Sequence, residues 1–214
     1  MMRFKALITI ALLSFVGHKV AFASDPKPVS EVEARVFVKD VGEKIVAILQ
    51  DKGTALDVRK EQFRGVLRQH FELPSIGRFV LGRYWRQASD AQQKDYLILF
   101  ENDLVESYSA QFDAYNDETF EVIGHRPSQD GGVVIKSRIN RTSGGEPLPV
   151  DWKVFETPKG LRVFDIIVNG VSMSITQRTD YAGLMASAKS MDAFLAQLRT
   201  KQKAPTKVGQ KAAS

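Results

Sequence analysis

Residues 161–168 read Leu-Arg-Val-Phe-Asp-Ile-Ile-Val, and turn-forming residues bound them on both sides, Pro158-Lys159-Gly160 before and Asn169-Gly170 after. A short run rich in β-branched residues between two turns predicts a strand. Both of its alternations are largely apolar: Leu161, Val163 and Ile167 on one, Phe164, Ile166 and Val168 on the other. This pattern predicts a sheet that is covered on both faces, or one that holds apolar material against its helices.

Further strands are predicted on either side of this stretch. Residues 119–124, 133–140 and 148–156 alternate between apolar and polar side chains, and residues 171–176 follow the Asn169-Gly170 turn. Glycine-containing turns separate these runs at 130–132 and 143–145. Strands joined by such short turns predict an antiparallel meander.

The first half of the chain has a helical period instead. Two pairs of residues have the spacing of capping boxes, Ser30 with Glu33 and Ser89 with Gln92. The first pair is predicted to begin a helix that reaches residue 52, and the second a helix that reaches residue 115. Between them Asp57 is predicted to cap one helix, and Pro74 lies in the first turn of another at 75–81. Helices are also predicted at 180–188 and 192–199. Helices, then sheet, then helices predict an α+β fold in which helices pack on one curved antiparallel sheet and enclose an apolar pocket.

The net charge of +5 is concentrated at the two ends of the 214-residue chain. Residues 1–23 contain three basic residues and residues 199–214 contain five, with no acids in either segment, so the body at 24–198 has 22 basic and 25 acidic residues. A protein that grips nucleic acid clusters lysine and arginine on its fold. We therefore expect no nucleic-acid partner.

The N-terminus has the features of a cleavable secretory signal. A basic start at Met1–Lys5 precedes an apolar stretch at 6–16, and Ala21-Phe22-Ala23 is a small-residue cleavage site. The apolar stretch is shorter than the roughly 20 residues that cross a bilayer. The sequence thus predicts a signal peptide at 1–23 with cleavage after Ala23, a domain at 24–200, and a disordered basic tail at 201–214 with few apolar residues.

No catalytic or metal-binding motif is present in the sequence. The chain has no cysteine, and downstream of the signal it has two histidines, His70 and His125, that are far apart. His70 is expected to face the carbonyls at a helix C-terminus as a cation. We therefore expect no enzyme, cofactor or metal, although an acid/base pair assembled by the fold alone would leave no spacing signal. A small cone-shaped enzyme stays one alternative.

Two ordered blocks resemble the MlaC / toluene-tolerance family. The first is residues 80–89, Val-Leu-Gly-Arg-Tyr-Trp-Arg-Gln-Ala-Ser, followed by Gln92-Gln93. The second comprises Val-Asp-Trp-Lys-Val at 150–154, the run at 162–168, Gly-Val-Ser-Met-Ser at 170–174 and Gln-Arg-Thr-Asp-Tyr at 177–181. The resemblance covers about residues 24–200, with departures from the family pattern at Leu161, Asn169 and Tyr181.

This resemblance implies a periplasmic phospholipid-binding protein with a sheet like that of the nuclear-transport-factor family. It implies acyl tails held between sheet and helices, and a carrier that maintains the lipid asymmetry of the outer membrane. The implied partners are phospholipid, an inner-membrane ABC transporter complex with its lipid-binding subunit, and an outer-membrane lipoprotein–porin complex. A sister branch linked to hopanoid biosynthesis shares the first block, so another apolar ligand, hopanoid-related or an organic solvent, stays a second alternative.

Candidate site residues come from the first block and from the apolar stripes. Arg83 and Arg86 are candidates for the vicinity of a phosphate head group. The candidates for contact with acyl tails are Tyr84, Trp85, Phe100, Leu104, Tyr108, Val134, Ile139, Trp152, Val154, Val163, Ile167, Val171 and Met173.

Overall fold

The computed structural model describes residues 29–110, 112, 117–142 and 144–203. Within these ranges the chain forms six α-helices, one 3-10 helix and one five-stranded sheet. In chain order they are α1 (Glu31–Gln50), α2 (Leu56–His70), α3 (Leu73–Leu81), the 3-10 helix (Gly82–Gln87), α4 (Asp90–Ser109), β1 (Thr119–Pro127), β2 (Val133–Asn140), β3 (Leu148–Thr157), β4 (Gly160–Val168), β5 (Val171–Ser172), α5 (Met173–Ala188) and α6 (Met191–Lys203). The predicted α+β class is confirmed. The predicted signal peptide at 1–23 and residues 204–214 of the predicted tail lie outside the described residues, while residues 201–203 of that tail are the end of α6.

The sheet is an antiparallel meander in the order β1-β2-β3-β4-β5. A β-bulge in β4 explains its two apolar alternations, because the register pairs Val163 with Val154 but Ile166 with Trp152. The bulge shifts the alternation by one residue, so Leu161, Val163 and Ile166 all pack on the same side of the sheet. The two alternations are thus partly two halves of one face, while Ile167 lies on the opposite face, and no residue of β4 is exposed on either face.

One apolar cluster joins the inner face of the sheet to the helices α1 and α2. Gly42 of α1 lets the backbone approach the sheet closely, since a Cβ there would lie 2.4 Å from the ring of Phe120. We call this group the sheet-side cluster. Its buried residues are Ala34, Val38, Val41, Ile48, Phe63, Val66, Leu67, Leu73, Val105, Phe112, Val133, Ile135, Val150, Trp152, Val154 and Val163.

A second apolar cluster lies among α3, α4, α5 and α6. The α3 helix packs tightly on α4, because a Cβ on Gly77 would lie 2.8 Å from Leu97. We call this group the helix-side cluster. Its buried residues are Val80, Leu81, Tyr96, Leu99, Phe100, Tyr181, Met185, Phe194, Leu195 and Leu198, and Leu104 of α4 packs against both clusters.

Helix termini follow the capping signals in part. The Ser30 hydroxyl accepts a hydrogen bond from the Glu33 amide, and both bonds of the Ser89–Gln92 capping box form. Asp57 does not cap α2, which begins one residue earlier without a side-chain cap.

The predicted strand at 171–176 is also wrong beyond its second residue. Ser172 accepts a hydrogen bond from the amide of Ile175 and donates one to Asp165, and these bonds start α5 at Met173. A serine that caps a helix thus ends the strand where the apolar pattern continues.

Candidate functional site

The inner face of the sheet is apolar because its few polar groups bond to one another. Trp152 donates from Nε1 to the Ser137 hydroxyl at 3.0 Å, and Ser137 donates to the carbonyl of Val150. The indole ring contacts Phe71 and Phe120 at centroid distances of 6.3 and 5.8 Å. With these donors satisfied, the face offers apolar surface to whatever packs on it.

A buried carboxylate organises the helix-side cluster. Asp103 of α4, whose side chain is 3% exposed, accepts hydrogen bonds at 2.9 Å from Tyr181 and Gln177 of α5. The Lys201 ammonium of α6 lies 2.7 Å from the same carboxylate. Burial and the nearby Asp103 charge raise the pKa of the Tyr181 hydroxyl well above its usual value, so this residue stays a donor. One side chain therefore ties three helices together.

Charged side chains connect α2 to α4 where the two clusters meet, a boundary that we call the seam. Lys60 lies 2.8 Å from Glu106, while Arg64 and Arg68 each lie 2.8 Å from Glu101. Burial opposes ionisation of Glu101, but the hydrogen bonds from Arg68 and Arg64 hold its pKa below the usual value. Partly exposed ion pairs contribute about 0–1 kcal/mol each. The pairs of the seam differ in exposure: Arg68 is 63% exposed, whereas Arg64 and Glu101 are 14% and 15% exposed, so breaking the Arg64–Glu101 pair costs more than breaking an exposed one.

A cavity of about 310 Å³ opens on the seam at the corner between α2 and α3. The corner is anchored to the sheet, because Phe71 forms a β-bridge with Val163 and the Glu72 amide donates to the Val163 carbonyl at 3.0 Å. Apolar and charged side chains share the lining: Phe71, Leu73, Pro74, Leu97 and Ile98 with Arg68, Glu72, Glu101, Lys159 and Arg162. Deeper in the seam, where the sequence predicts an apolar pocket, packed side chains occupy the space between sheet and helices.

The predicted residues are divided among these regions. Ile139, Trp152, Val154 and Val163 belong to the inner face and its cluster. By register Val134 and Ile167 lie on the opposite face, Val134 beside Lys153 and Ile167 beside Asp151. Leu104 lies at the seam, and Tyr84, Trp85 and Phe100 pack in the helix-side cluster.

The remaining predicted residues lie around the ends of α4 and α5. Tyr108 is 36% exposed, and burial together with the charges of Asp165 and Asp103 raises its pKa to about 12. Val171 is exposed, Met173 is the half-buried first residue of α5, and Arg83 and Arg86 are exposed. The predicted set contains none of the residues that line the cavity. Sequence reasoning missed Phe71 and Leu73 because a corner between two helices has no period to detect.

His70 differs from the expectation that it faces the carbonyls at a helix C-terminus as a cation. Its side chain is 8% exposed, its Nε2 atom is buried without a hydrogen-bond partner, and its ring lies 5.7 Å from that of Phe37. Burial and then the neighbouring Lys44 charge lower the pKa of His70. The expectation was wrong because packing against α1 outweighs the attraction of the helix C-terminus.

Neither a metal centre nor a membrane span is found in the part of the chain that the structure describes. There, no group of three or more histidine, aspartate or glutamate side chains is placed to hold a metal ion. Its helices are too short or too polar to cross a bilayer.

Comparison with known proteins agrees with this architecture. A family model described as MlaC protein matches residues 39–200. The structure is similar to that of a phospholipid-binding protein from Ralstonia solanacearum in complex with a phospholipid, with a TM-score of 0.68 and 21% sequence identity. The match covers 79% of this chain and 97% of that chain. At this identity the similarity shows a shared fold.

Proposed function

This chain belongs to the MlaC family, and on that premise we propose that it is a periplasmic carrier of phospholipid, not an enzyme. It takes up lipid by the two acyl chains and moves it between an inner-membrane ABC transporter complex and an outer-membrane lipoprotein–porin complex. This transport maintains the lipid asymmetry of the outer membrane. The observation that supports the proposal most directly is the apolar inner face of the sheet, which meets the helices along a seam fastened by ion pairs.

A carrier of this kind has to enclose the acyl chains almost completely. Two 16-carbon chains contain about 30 CH₂ groups, and exposing them to water would cost about 24 kcal/mol at roughly 0.8 kcal/mol for each group. Contact with an apolar wall recovers this energy without any specific bond to the chains. The inner face, with its internally bonded Trp152 and Ser137, is such a wall.

The existing cavity is too small for that cargo, so the seam has to widen. The cavity volume of about 310 Å³ is at the lower end of the range for pockets that bind drug-sized ligands, roughly 300–1,000 Å³. The ion pairs of Lys60, Arg64 and Arg68 are the contacts that break when α2 and α4 separate. Burial of an acyl chain contributes roughly 0.8 kcal/mol for each CH₂ group, which can offset the loss of these ion pairs.

The first test is to identify the cargo. The protein is purified from the periplasm of a Gram-negative host without detergent, and its bound molecules are identified by native mass spectrometry and lipid extraction. We expect one diacyl phospholipid per chain. A polycyclic terpenoid would favour the hopanoid-related alternative. Protein without lipid that also fails to take up phospholipid from vesicles would contradict the proposed function.

The second test cross-links the two sides of the seam. Because the chain has no native cysteine, only the introduced cysteines react with the cross-linker. Lys60→Cys with Glu106→Cys, joined by a short bis-maleimide, links α2 to α4 across the seam. The matched control, Asp95→Cys with Arg199→Cys, replaces an ion pair between α4 and α6 on the helix side. We expect lipid uptake at least tenfold slower for the seam link and unchanged for the control. Equal uptake in both would exclude opening at this seam.

A further inference from the structure

One end of the molecule has arginines that form no ion pair with any described residue and that lie beside aromatic rings. We define the arginine patch as Arg78 and Phe79 of α3, Arg83, Tyr84 and Arg86 of the 3-10 helix, and Arg178 of α5. The patch lies at the C-terminal end of α3, and the seam cavity lies at its N-terminal end. At about 1.5 Å per residue these ends are about 12 Å apart. The patch is therefore separate from the cavity.

Direct contacts hold the patch together across two elements that are distant in sequence. The Arg178 guanidinium lies over the Phe79 ring at 4.9 Å and donates to the Phe79 carbonyl at 3.2 Å. Gly82 permits this approach, since it has a φ of +60° and a Cβ there would lie 3.1 Å from Arg178. Arg83 lies over the ring of Tyr84 at 4.8 Å and donates to its hydroxyl at 2.8 Å.

The local charge is opposite to that of the rest of the folded body. Residues 73–89 contain three arginines and residues 168–179 contain one, and neither segment contains an acid. The body at 24–198 as a whole has three more acidic than basic residues. Among the residues that the structure describes, none of the four patch arginines has a carboxylate within ion-pair distance, whereas Arg64, Arg68, Arg138 and Arg199 each have at least one.

The apolar side chains beside these arginines point to the kind of surface that they fit. Phe79 is 43% exposed, Val171 of β5 is 54% exposed, and Ile175 in the first turn of α5 is 58% exposed. Tyr84 and Trp85 are half-buried and have amphipathic rings. Guanidinium groups with aromatic and aliphatic side chains match the interfacial layer of a bilayer, where phosphates lie above the acyl chains.

We propose that the arginine patch docks this protein on the surface of a bilayer that contains anionic phospholipid. Each arginine near such a surface adds attraction, and the exposed Phe79 and Ile175 insert among the head groups. In the docked protein the seam cavity then lies about 12 Å from the lipid, which is the length of α3. This inference extends the proposed carrier function, but the docking itself does not require that lipid be bound inside.

The test measures binding of the full chain, after removal of its signal peptide, to vesicles of phosphatidylethanolamine and phosphatidylglycerol at 70:30, and to phosphatidylcholine vesicles. The main variant is Arg78→Gln with Arg86→Gln, because both side chains are exposed. The matched control, Lys136→Gln with Arg141→Gln, removes the same charge from an exposed position of β2 and from the exposed residue that follows it. We expect about fivefold weaker binding to the anionic vesicles for each patch arginine removed, and a far smaller loss for the control.

A second variant, Arg83→Glu, replaces a positive charge of the patch with a negative one. It should weaken binding to the anionic vesicles more than the removal of one arginine does. All patch effects should diminish as salt rises, since salt screens charges beyond a Debye length of about 10 Å at 0.1 M. Equal losses for the patch variant and its control would overturn the proposal. Unchanged vesicle binding with lost binding to an acidic partner protein would also overturn it, in favour of a protein-docking surface. Lipid content of every variant, measured by native mass spectrometry, reports separately on the carrier function.

Discussion

The sheet-side and helix-side clusters are both buried, but different forces give them their shape. In the sheet-side cluster Trp152, Val154 and Val163 meet α1 and α2 through apolar contacts, and the main polar bond runs within the sheet. In the helix-side cluster the carboxylate of Asp103 binds groups from α5 and α6 at fixed distances. Apolar contacts are non-directional, whereas hydrogen bonds require one geometry. On the proposed function, we expect the sheet side to exchange side-chain contacts for acyl chains and the helix side to keep its form.

The largest expected effects come from a cavity made in each cluster. Ile135→Ala on the sheet side should lower the free energy of unfolding by about 2–5 kcal/mol, and Phe194→Ala on the helix side by about 3–5 kcal/mol. Both residues are fully buried. Urea denaturation of delipidated protein measures these losses.

Phospholipid should then distinguish the two variants. An acyl chain can fill the space left by Ile135→Ala, so added lipid should stabilise this variant more than the wild-type protein. Phe194→Ala should gain no more than the wild type. If added lipid stabilises both variants equally, the proposed difference between the two clusters in lipid binding is wrong.

Removing the carboxylate of Asp103 tests the rigidity of the helix side. Asp103→Ala leaves Tyr181 and Gln177 without their acceptor, and each unsatisfied buried group costs about 1–3 kcal/mol. We expect a loss of about 3 kcal/mol in urea denaturation. Asp180→Ala, at an exposed position of α5, should change stability by less than about 0.5 kcal/mol. Equal losses for the two variants would show that the network does not hold the helices.

A pH dependence should originate on the sheet side, at His70. Burial lowers the pKa of this side chain in the folded protein, so the unfolded chain binds the proton at higher pH. Stability is therefore complete above the unfolded pKa of about 6.5 and falls as pH drops below it, by at most about 1.4 kcal/mol per pH unit for one proton.

His70→Gln should flatten this part of the pH profile of the unfolding midpoint between pH 8 and 5. His125→Gln should leave the fall in place, because that side chain is largely exposed beside Glu31. A profile that keeps its slope in His70→Gln would assign the acid sensitivity to another group.

The smallest expected effect concerns α4, the helix that both clusters share. Ser89→Ala removes the hydroxyl that accepts from the Gln92 amide, and loss of such a cap costs about 1 kcal/mol. Ser75→Ala in α3 is a control at an exposed serine. Thermal unfolding distinguishes them, and an equal change in both midpoints would mean that the cap does not stabilise α4.

Much of the fold was predictable from local patterns. The capping boxes at Ser30 and Ser89 and the meander of β1 to β4 are short-range features, because each depends on residues that are neighbours along the chain. The match over residues 39–200 confirms the family that the Gly82–Arg86 block indicated. Local patterns were misleading where a single group sets the structure. The hydroxyl of Ser172 starts α5 where the pattern predicts a strand, and one extra residue in β4 shifts which side chains share a face.

The candidate site was less predictable, since its parts come from separate segments. The sequence identified apolar stripes, but it contained no information on which stripe meets the sheet and which meets other helices. Phe100 therefore packs on Tyr96 and Tyr181 in the helix-side cluster, and Trp152 packs on the inner face. Whether the predicted residues contact lipid stays a prediction.

By itself the sequence determined the class of fold, the family and the places where most helices and strands begin, because periodicity and capping act within a few residues. Only the tertiary structure decided that Asp103 joins three helices, that the seam lies between α2 and α4, and that Arg178 completes a patch begun by Arg78 and Arg83. These contacts link residues that are 33 to 99 positions apart. Such pairings are set by how whole elements pack, and no local pattern records them.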